Sequence, residues 1–172
     1  RYKRYCFGVV AIRKTLMDDL AAKLTRVCER VVKDPSVQPK DGKTHCDWAV
    51  HLICSQMGYR EFADDSMTAN SIYDKVEKEW SKVTAQWASE YANSGGLAMA
   101  AQKGQPHGHV AMLCPGEMVF SGKWQELVPL IANVGKTCSI VGVNYGFSTK
   151  PDYFVLAKAK ETMLPLPSSK ET

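Results

Sequence analysis

The sequence predicts an α+β domain in which N-terminal helices pack on one face of a mostly antiparallel β-sheet. Apolar residues recur at helical spacing through the first half of the chain. After Gly95-Gly96 the pattern changes to short apolar or β-branched runs separated by glycine, proline and asparagine. With 172 residues, 45% of them hydrophobic, the chain can bury one core. We therefore expect one domain over residues 1–162 and a flexible C-terminal tail over 163–172.

The helices of the first half are predicted from periodicity and capping residues. After a short apolar, strand-like run over Tyr5–Ile12, one face of the next segment is apolar, and Thr15 and Asp18 can cap its start. Proline and glycine between residues 34 and 42 predict a loop. The predicted helices cover Thr15–Lys33, Thr44–Met57, Thr68–Trp80 and Thr84–Ala92. The predicted strands are Leu97–Ala101, His109–Cys114, Leu127–Val134, Cys138–Phe147 and Tyr153–Ala159.

One cysteine stands at the start of a predicted helix. Thr44 is a good N-cap, and Asp47 three positions later can complete a capping box, which places Cys46 in the first turn. Free N–H groups and the helix dipole favour an anion there, so we expect the pKa of this thiol to lie below its usual value of about 8.5. Gly58 stands where a left-handed C-cap would end the helix.

The remaining cysteines lack this setting. Buried cysteines usually behave as small hydrophobic residues, and the other five lie on apolar helix faces or in apolar, strand-like runs. They are Cys6, Cys28, Cys54, Cys114 and Cys138. Cys46 is therefore the candidate nucleophile.

A histidine that could activate this thiol follows a glycine- and proline-rich loop. His109 opens the apolar run that ends at Cys114, so it is expected at the first position of a strand, with His107 in the loop before it. If Leu127–Val134 is the next, antiparallel strand, its end returns beside His109. Asn133 would then accept from the ring N–H and hold the imidazole in its useful tautomer.

Other residues compete for these roles. Residues 133–136 also suit a simple turn, and Glu117 and Asn144 are weaker candidates for orienting the histidine. His51, one turn beyond Cys46, is expected to be structural. His45, Asp47 and His107 are expected to line the substrate cleft.

Composition narrows the classes of partner. The net charge is +4, and the basic residues are spread along the chain without interleaved aromatics, which does not favour nucleic-acid binding. An anionic polymer such as the bacterial cell wall would suit this charge. No apolar run approaches the roughly 18 residues that span a membrane.

Short motifs resemble a known group of enzymes. The stretch from Thr44 to Val50, THCDWAV, is similar to the cysteine-helix motif of the papain-like CHAP and NlpC-type peptidoglycan amidases and endopeptidases. Residues 108–111, GHVA, resemble their histidine strand. Further similar stretches are 67–72, 92–96, 115–116, 121–124 and 129–135. Asp47 departs from the motif, which more commonly has asparagine there, and its charge would raise the pKa of the thiol.

The resemblance implies hydrolysis of an amide bond in the peptide part of peptidoglycan, by a domain that is secreted or delivered to the periplasm or cell wall. Cys46 would attack, His109 would transfer the proton, and no metal or organic cofactor would be needed. Asn133 would orient the ring, a role that rests on the strand argument and that the resemblance does not settle. The resemblance leaves open the cleaved bond and whether the protein is a lysin, a housekeeping enzyme or an antibacterial toxin. A toxin would imply a cognate immunity protein as a partner.

Three alternatives stay open. A zinc hydrolase could use His45, Cys46, His107 and His109, although their spacing matches no familiar zinc signature. A non-catalytic wall-binding or interaction module would keep the fold without needing the cysteine and histidine together. A papain-like peptidase or transferase acting on a protein would keep both residues and change the cleft.

Overall fold

The computed structural model describes residues 4–62 and 66–156, with side chains from residue 14 onward. The helices are α1 (Arg4–Val31), α2 (Cys46–Gln56), α3 (Ala69–Glu79), α4 (Ala85–Asn93) and α5 (Val143–Gly146), with a 3₁₀ turn at Pro35–Val37. The strands are β1 (Ser81–Val83), β2 (Ala98–Gln102), β3 (His109–Met112), β4 (Val119–Ser121), β5 (Glu126–Val128), β6 (Leu130–Val134), β7 (Cys138–Gly142) and β8 (Asp152–Val155). The predicted tail over 163–172 lies outside the described residues.

The strands form one larger sheet and two hairpins. The four-stranded sheet has the order β1-β8-β2-β3, and β4 pairs with β5 and β6 with β7. Each of these pairs is antiparallel. β6 reaches the edge of the larger sheet through an antiparallel bridge between Leu113 and Ile131, extended by the 2.9 Å bond from Cys114 N–H to the Leu130 carbonyl. The predicted α+β class with antiparallel sheets is confirmed.

Helices cover both faces of the larger sheet, whereas the sequence predicted one face. Met99 and Ala101 of β2 join the core formed with α1, α2 and α3, while Ala98 and Ala100 join a second core with α4 and α5. The reason is visible in the sequence of β2, where Ala98–Ala101 is uninterrupted by polar residues. A strand buried on both faces needs such a continuous apolar run.

One predicted helix and one predicted strand have different bounds in the structure. The run Tyr5–Ile12 is not a separate, strand-like segment, because the backbone of α1 is helical from Arg4 to Val31. Thr15 therefore lies inside the helix and does not cap it. The predicted strand Cys138–Phe147 ends at Gly142, and its last part is helix α5.

The strand prediction also missed some breaks. The run Leu127–Val134 is two strands, β5 and β6, separated at Pro129. Proline has no N–H to donate to a ladder, so it interrupts the pairing. β1 and β4 were not predicted, because three-residue strands are too short to show a clear alternation.

Candidate active site

Helix α2 presents Cys46 at its first position, as predicted, but the cap differs. His45 is the N-cap and its side chain makes no capping hydrogen bond, so the predicted Thr44–Asp47 capping box is not formed. Instead, Asp47 Oδ1 accepts from the N–H of Trp48 at 2.8 Å. The C-terminus is as predicted: Gly58 has φ +94°, and Tyr59 N–H donates to the Cys54 carbonyl at 2.8 Å.

The thiol of Cys46 is buried, and this overturns the expected direction of its pKa. Burial raises the pKa of the thiol, because the thiolate loses solvation, and the neighbouring charge of Asp47 raises the pKa further. The backbone N–H groups of Val110, Asp47 and Cys46 itself lower the pKa and offset part of this effect. The helix start therefore supplies donors to the sulfur, as expected, but burial is the larger effect.

His109 stands at the start of the strand against which α2 packs. It is the first residue of β3, opposite Gln102 of β2, and the N–H that acts on the Cys46 sulfur belongs to the next residue, Val110. Burial lowers the pKa of His109, and the hydrogen bond to Asn133 opposes part of that shift. The resting imidazole is therefore neutral at neutral pH, which is the state that a proton acceptor needs.

Asn133 and His109 are joined by a hydrogen bond. The distance from His109 Nε2 to Asn133 Oδ1 is 3.1 Å. Asn133 Nδ2 donates to the Thr137 carbonyl at 2.9 Å, which fixes which end of the amide faces the histidine. Because an amide oxygen only accepts, the ring proton must be on Nε2, and Nδ1 of the neutral ring is left with a lone pair.

The sequence left open whether Asn133 forms part of a turn or orients His109, and in the structure its side chain makes hydrogen bonds of both kinds. The amide nitrogen supports the turn that ends at Thr137, and the amide oxygen faces the histidine. Asn144, a weaker candidate, has a buried Oδ1 without a hydrogen-bond partner among the described residues. The structure therefore puts Asn133, rather than Asn144, against the ring.

Helix α5 closes the space around this pair. The Phe147 ring lies 4.8 Å from the His109 ring, centroid to centroid. A Cβ on Gly146 would come within 2.6 Å of Asn133 Oδ1. The backbone of α5 therefore passes so close to the amide that any residue other than glycine at position 146 would clash with it. This close packing restricts the motion of both side chains.

A groove of about 590 Å³ runs past the cysteine. It contains the three residues expected to line the cleft, namely His45, Asp47 and His107, together with Cys46. His51 lies elsewhere: its Nδ1 is 2.9 Å from the Phe62 carbonyl, and its ring stacks on Trp48 at 4.4 Å.

Asn70 is a residue of the site that the sequence analysis did not identify. Its Nδ2 donates to the Gly104 carbonyl at 3.0 Å, and its Oδ1 accepts from the Gly104 N–H at 3.2 Å. A Cβ on Gly108 would clash with the same Oδ1. Asn70 therefore holds the loop that leads into His109. Its place in the first turn after the Thr68 cap was visible in the sequence, but its partner 34 residues away was not.

Comparison with known proteins adds no relative. The chain matches no protein-family model, and no curated protein matches it in sequence. The site must be interpreted from its own geometry.

Within residues 4–62 and 66–156, no group of three or more His, Cys, Asp and Glu side chains is placed to hold a metal ion. The structure thus does not assemble the four residues of the zinc alternative into such a group. In the same part of the chain, no helix has the length and apolar character to cross a membrane.

Proposed function

We propose that this protein is a papain-like cysteine hydrolase that cleaves an amide bond in the peptide part of bacterial peptidoglycan. The observation that carries the proposal is the His109–Asn133 hydrogen bond of 3.1 Å at the start of β3, the strand against which the Cys46 helix packs. A thiol, an imidazole and an amide acceptor in this order are the components of acyl transfer by a cysteine nucleophile.

The reaction would start from a neutral pair, because the pKa of Cys46 is raised and that of His109 is lowered. His109 Nδ1 takes the thiol proton as the sulfur attacks the carbonyl carbon, and a bond forms between sulfur and carbon. The tetrahedral intermediate then collapses, the C–N bond breaks, and the proton passes from His109 to the leaving amine. Water, deprotonated by His109, then attacks the acyl carbon and forms a C–O bond. The C–S bond breaks, the acid product leaves, and the proton passes from His109 back to the sulfur.

The start of α2 also suits the oxyanion. The backbone N–H groups of Cys46, Asp47 and Val110 that act on the sulfur surround the atom to which the carbonyl is added. Donors of this kind stabilise the charge that develops on the carbonyl oxygen. Removing one such donor typically costs about 100- to 1,000-fold in rate.

The substrate class rests on the motif resemblance and on the groove. A groove of about 590 Å³ can hold an extended peptide, and its Lys43 suits an anionic polymer. A wall substrate would require the protein to be secreted or delivered to the periplasm or cell wall. If the protein is an antibacterial toxin, a cognate immunity protein would be expected to cover this groove.

The proposal is tested by release of soluble muropeptides from purified sacculi. We expect release by the wild type and none above background by Cys46→Ala, with His109→Ala reduced to a similar degree. Cys54→Ala is the matched control, since Cys54 is a buried thiol of the same helix that does not line the groove. No release by the folded wild type, or equal release by Cys46→Ala, would contradict the proposal.

The two remaining alternatives give different results in the same set of experiments. A non-catalytic wall-binding module would sediment with sacculi but release nothing. A peptidase or transferase acting on proteins would lose activity in Cys46→Ala but would leave sacculi intact.

A further inference from the structure

Helix α5 lies against the His109–Asn133 pair but has little internal support. Gly146 passes close to Asn133 Oδ1, and the ring of Phe147, the C-cap residue of the helix, lies 4.8 Å from the His109 ring. The helix has four residues, and the N–H of Phe147 donates to the Val143 carbonyl at 3.1 Å. A single helical turn is unstable alone, because several residues must be fixed to form one hydrogen bond. Contacts from other elements must therefore hold α5 in place.

The hairpin of β4 and β5 supplies contacts at the start of α5. Gly142 is the N-cap of the helix, and a Cβ there would come within 2.9 Å of Val119 and 3.3 Å of Val128. These two valines are cross-strand partners in the hairpin. Val128 is buried in the same core as Val143 and Phe147 of the α5 segment. The hairpin therefore packs directly on this end of the helix.

The turn of the same hairpin contacts the other end of α5. Lys123 lies in this turn, and its Nζ donates to the Ser148 carbonyl at 2.7 Å and to the Phe147 carbonyl at 3.5 Å. The last carbonyls of a helix have no partner within it, and a lysine side chain can satisfy them. The turn is itself ordered, since Ser121 Oγ accepts from the N–H of Trp124 at 3.2 Å.

The ammonium group of Lys123 has no competing acidic partner. Among the described residues no carboxylate forms an ion pair with it. Its remaining contact is with the Trp124 ring, whose centroid lies 5.8 Å from Nζ. The contacts of this lysine are therefore directed at the chain segment that follows α5 and at its own turn.

We propose that Lys123 is a positioning residue of the active site, which holds the end of α5 so that Phe147 keeps its place against the His109 ring. Its hydrogen bonds go to backbone carbonyls, so it acts on the imidazole through Phe147. The effect on catalysis rests on the proposed function, whereas the effect on the His109 ring does not. Without Lys123, the end of α5 would move and water would reach the imidazole.

The His109 imidazole reports on this contact. Burial is the larger cause of its lowered pKa, and the hydrogen bond to Asn133 opposes part of the shift. Charged groups are not among the causes of this shift. Water that reaches the ring would stabilise the imidazolium, so displacement of Phe147 should raise the pKa toward its ordinary value.

NMR titration of the imidazole tests the proposal without turnover, with the ring signals assigned by comparison with His109→Ala. We expect the pKa of His109 to rise in Lys123→Met, which keeps most of the side-chain length but cannot donate to the carbonyls. Lys123→Gln, whose amide is too short to reach the same carbonyls, should give the same change. Lys123→Arg should keep the wild-type pKa, because a guanidinium can donate to both carbonyls.

Lys150→Met is the matched control. Lys150 is an exposed lysine of the loop after α5, and it pairs with Glu126 of the same hairpin at 2.7 Å. Its replacement removes the same charge without removing a hydrogen bond to the end of α5, so the pKa of His109 should not change. High salt in all titrations screens direct effects of the lost charge.

The rate of muropeptide release from sacculi tests the effect on catalysis. We expect Lys123→Met to lower kcat about three- to tenfold, the range that corresponds to the net contribution of one hydrogen bond. KM should change little, because Lys123 is not among the residues that line the groove. The acid limb of the pH profile should move to higher pH, and Lys123→Arg should restore both the rate and the profile.

The outcomes separate this proposal from the proposed function. An unchanged pKa of His109 in Lys123→Met and Lys123→Gln, an equal change in Lys150→Met, or full activity in Lys123→Met would each overturn the positioning role. Any of these results would leave the hydrolase assignment standing if the wild type releases muropeptides. If the wild type releases none but the pKa rises as expected, the hydrolase assignment is wrong and the hold of Lys123 on the His109 ring is confirmed.

Discussion

Replacing Asn133 is the sharpest test of the site geometry. In Asn133→Ala the ring N–H of His109 loses its acceptor, which lies 3.1 Å away, in a position that is largely closed to water. An unsatisfied buried donor costs about 1–3 kcal/mol, and this corresponds to roughly 5- to 150-fold in kcat/KM if the lost bond orients the ring for catalysis. The measurement is muropeptide release together with thermal unfolding.

The pH profile gives the test a direction. The hydrogen bond that His109 donates to Asn133 raises the pKa of His109, so Asn133→Ala should lower that pKa further and move the acid limb of kcat/KM to lower pH. In Asn133→Asp the added negative charge should raise the pKa and move the acid limb to higher pH. A limb that does not move, or moves the same way in both variants, would refute the assigned roles.

Two controls separate orientation from folding. Asn144→Ala removes an amide oxygen that is buried without a partner among the described residues, so it should not lower activity. Gly146→Ala leaves Asn133 in place but puts a methyl group within 2.6 Å of its Oδ1, and it should reduce activity. Gly122→Ala, where nothing lies within 4 Å of the added Cβ, should not.

Two other predictions concern the neighbours of the reacting pair. Asn70→Ala removes two hydrogen bonds to Gly104, so it should lower the free energy of unfolding by about 1–3 kcal/mol and also lower activity. Asn93→Ala removes the equivalent pair of hydrogen bonds to Gly116, outside the groove, and should lower stability alone. Denaturant unfolding measures the stability of both variants, and muropeptide release measures their activity. Asp47→Asn removes a charge that raises the pKa of Cys46, so the midpoint of iodoacetamide alkylation should move to lower pH. An unchanged midpoint would mean that the charge does not act on the sulfur.

The sequence predicted best what depends on neighbouring residues. The starts of α3 and α4 follow from Thr68 and Thr84, whose side chains accept from backbone N–H groups three residues on. The end of α2 follows from Gly58, the residue type that adopts a positive φ without strain. The position of Asn133 beside His109 followed from the predicted strand order alone. It was predicted correctly although the single predicted strand Leu127–Val134 is two strands, β5 and β6, in the structure.

What the sequence could not show depends on residues that are distant in the chain. The direction of the Cys46 pKa was wrong because it was judged from the helix start, whereas burial is set by the packing of α2 against β3. Helix α4, on the second face of the sheet, has an apolar face like the other helices. Its own sequence does not indicate which face of the sheet it packs against. Asn70 reaches Gly104 across 34 residues, so its role becomes visible only in the folded chain.

The raised pKa of the buried Cys46 thiol also bears on its chemical durability. Peroxides and disulfides react with the thiolate, and burial keeps this form scarce at neutral pH and limits access to Cys46, a residue that is 7% exposed. In the proposed reaction, His109 takes the thiol proton only when a substrate carbonyl is in place, so the sulfur need not be kept ionised between turnovers. Cys46 is therefore expected to resist irreversible oxidation in oxygenated surroundings better than a permanently ionised cysteine would.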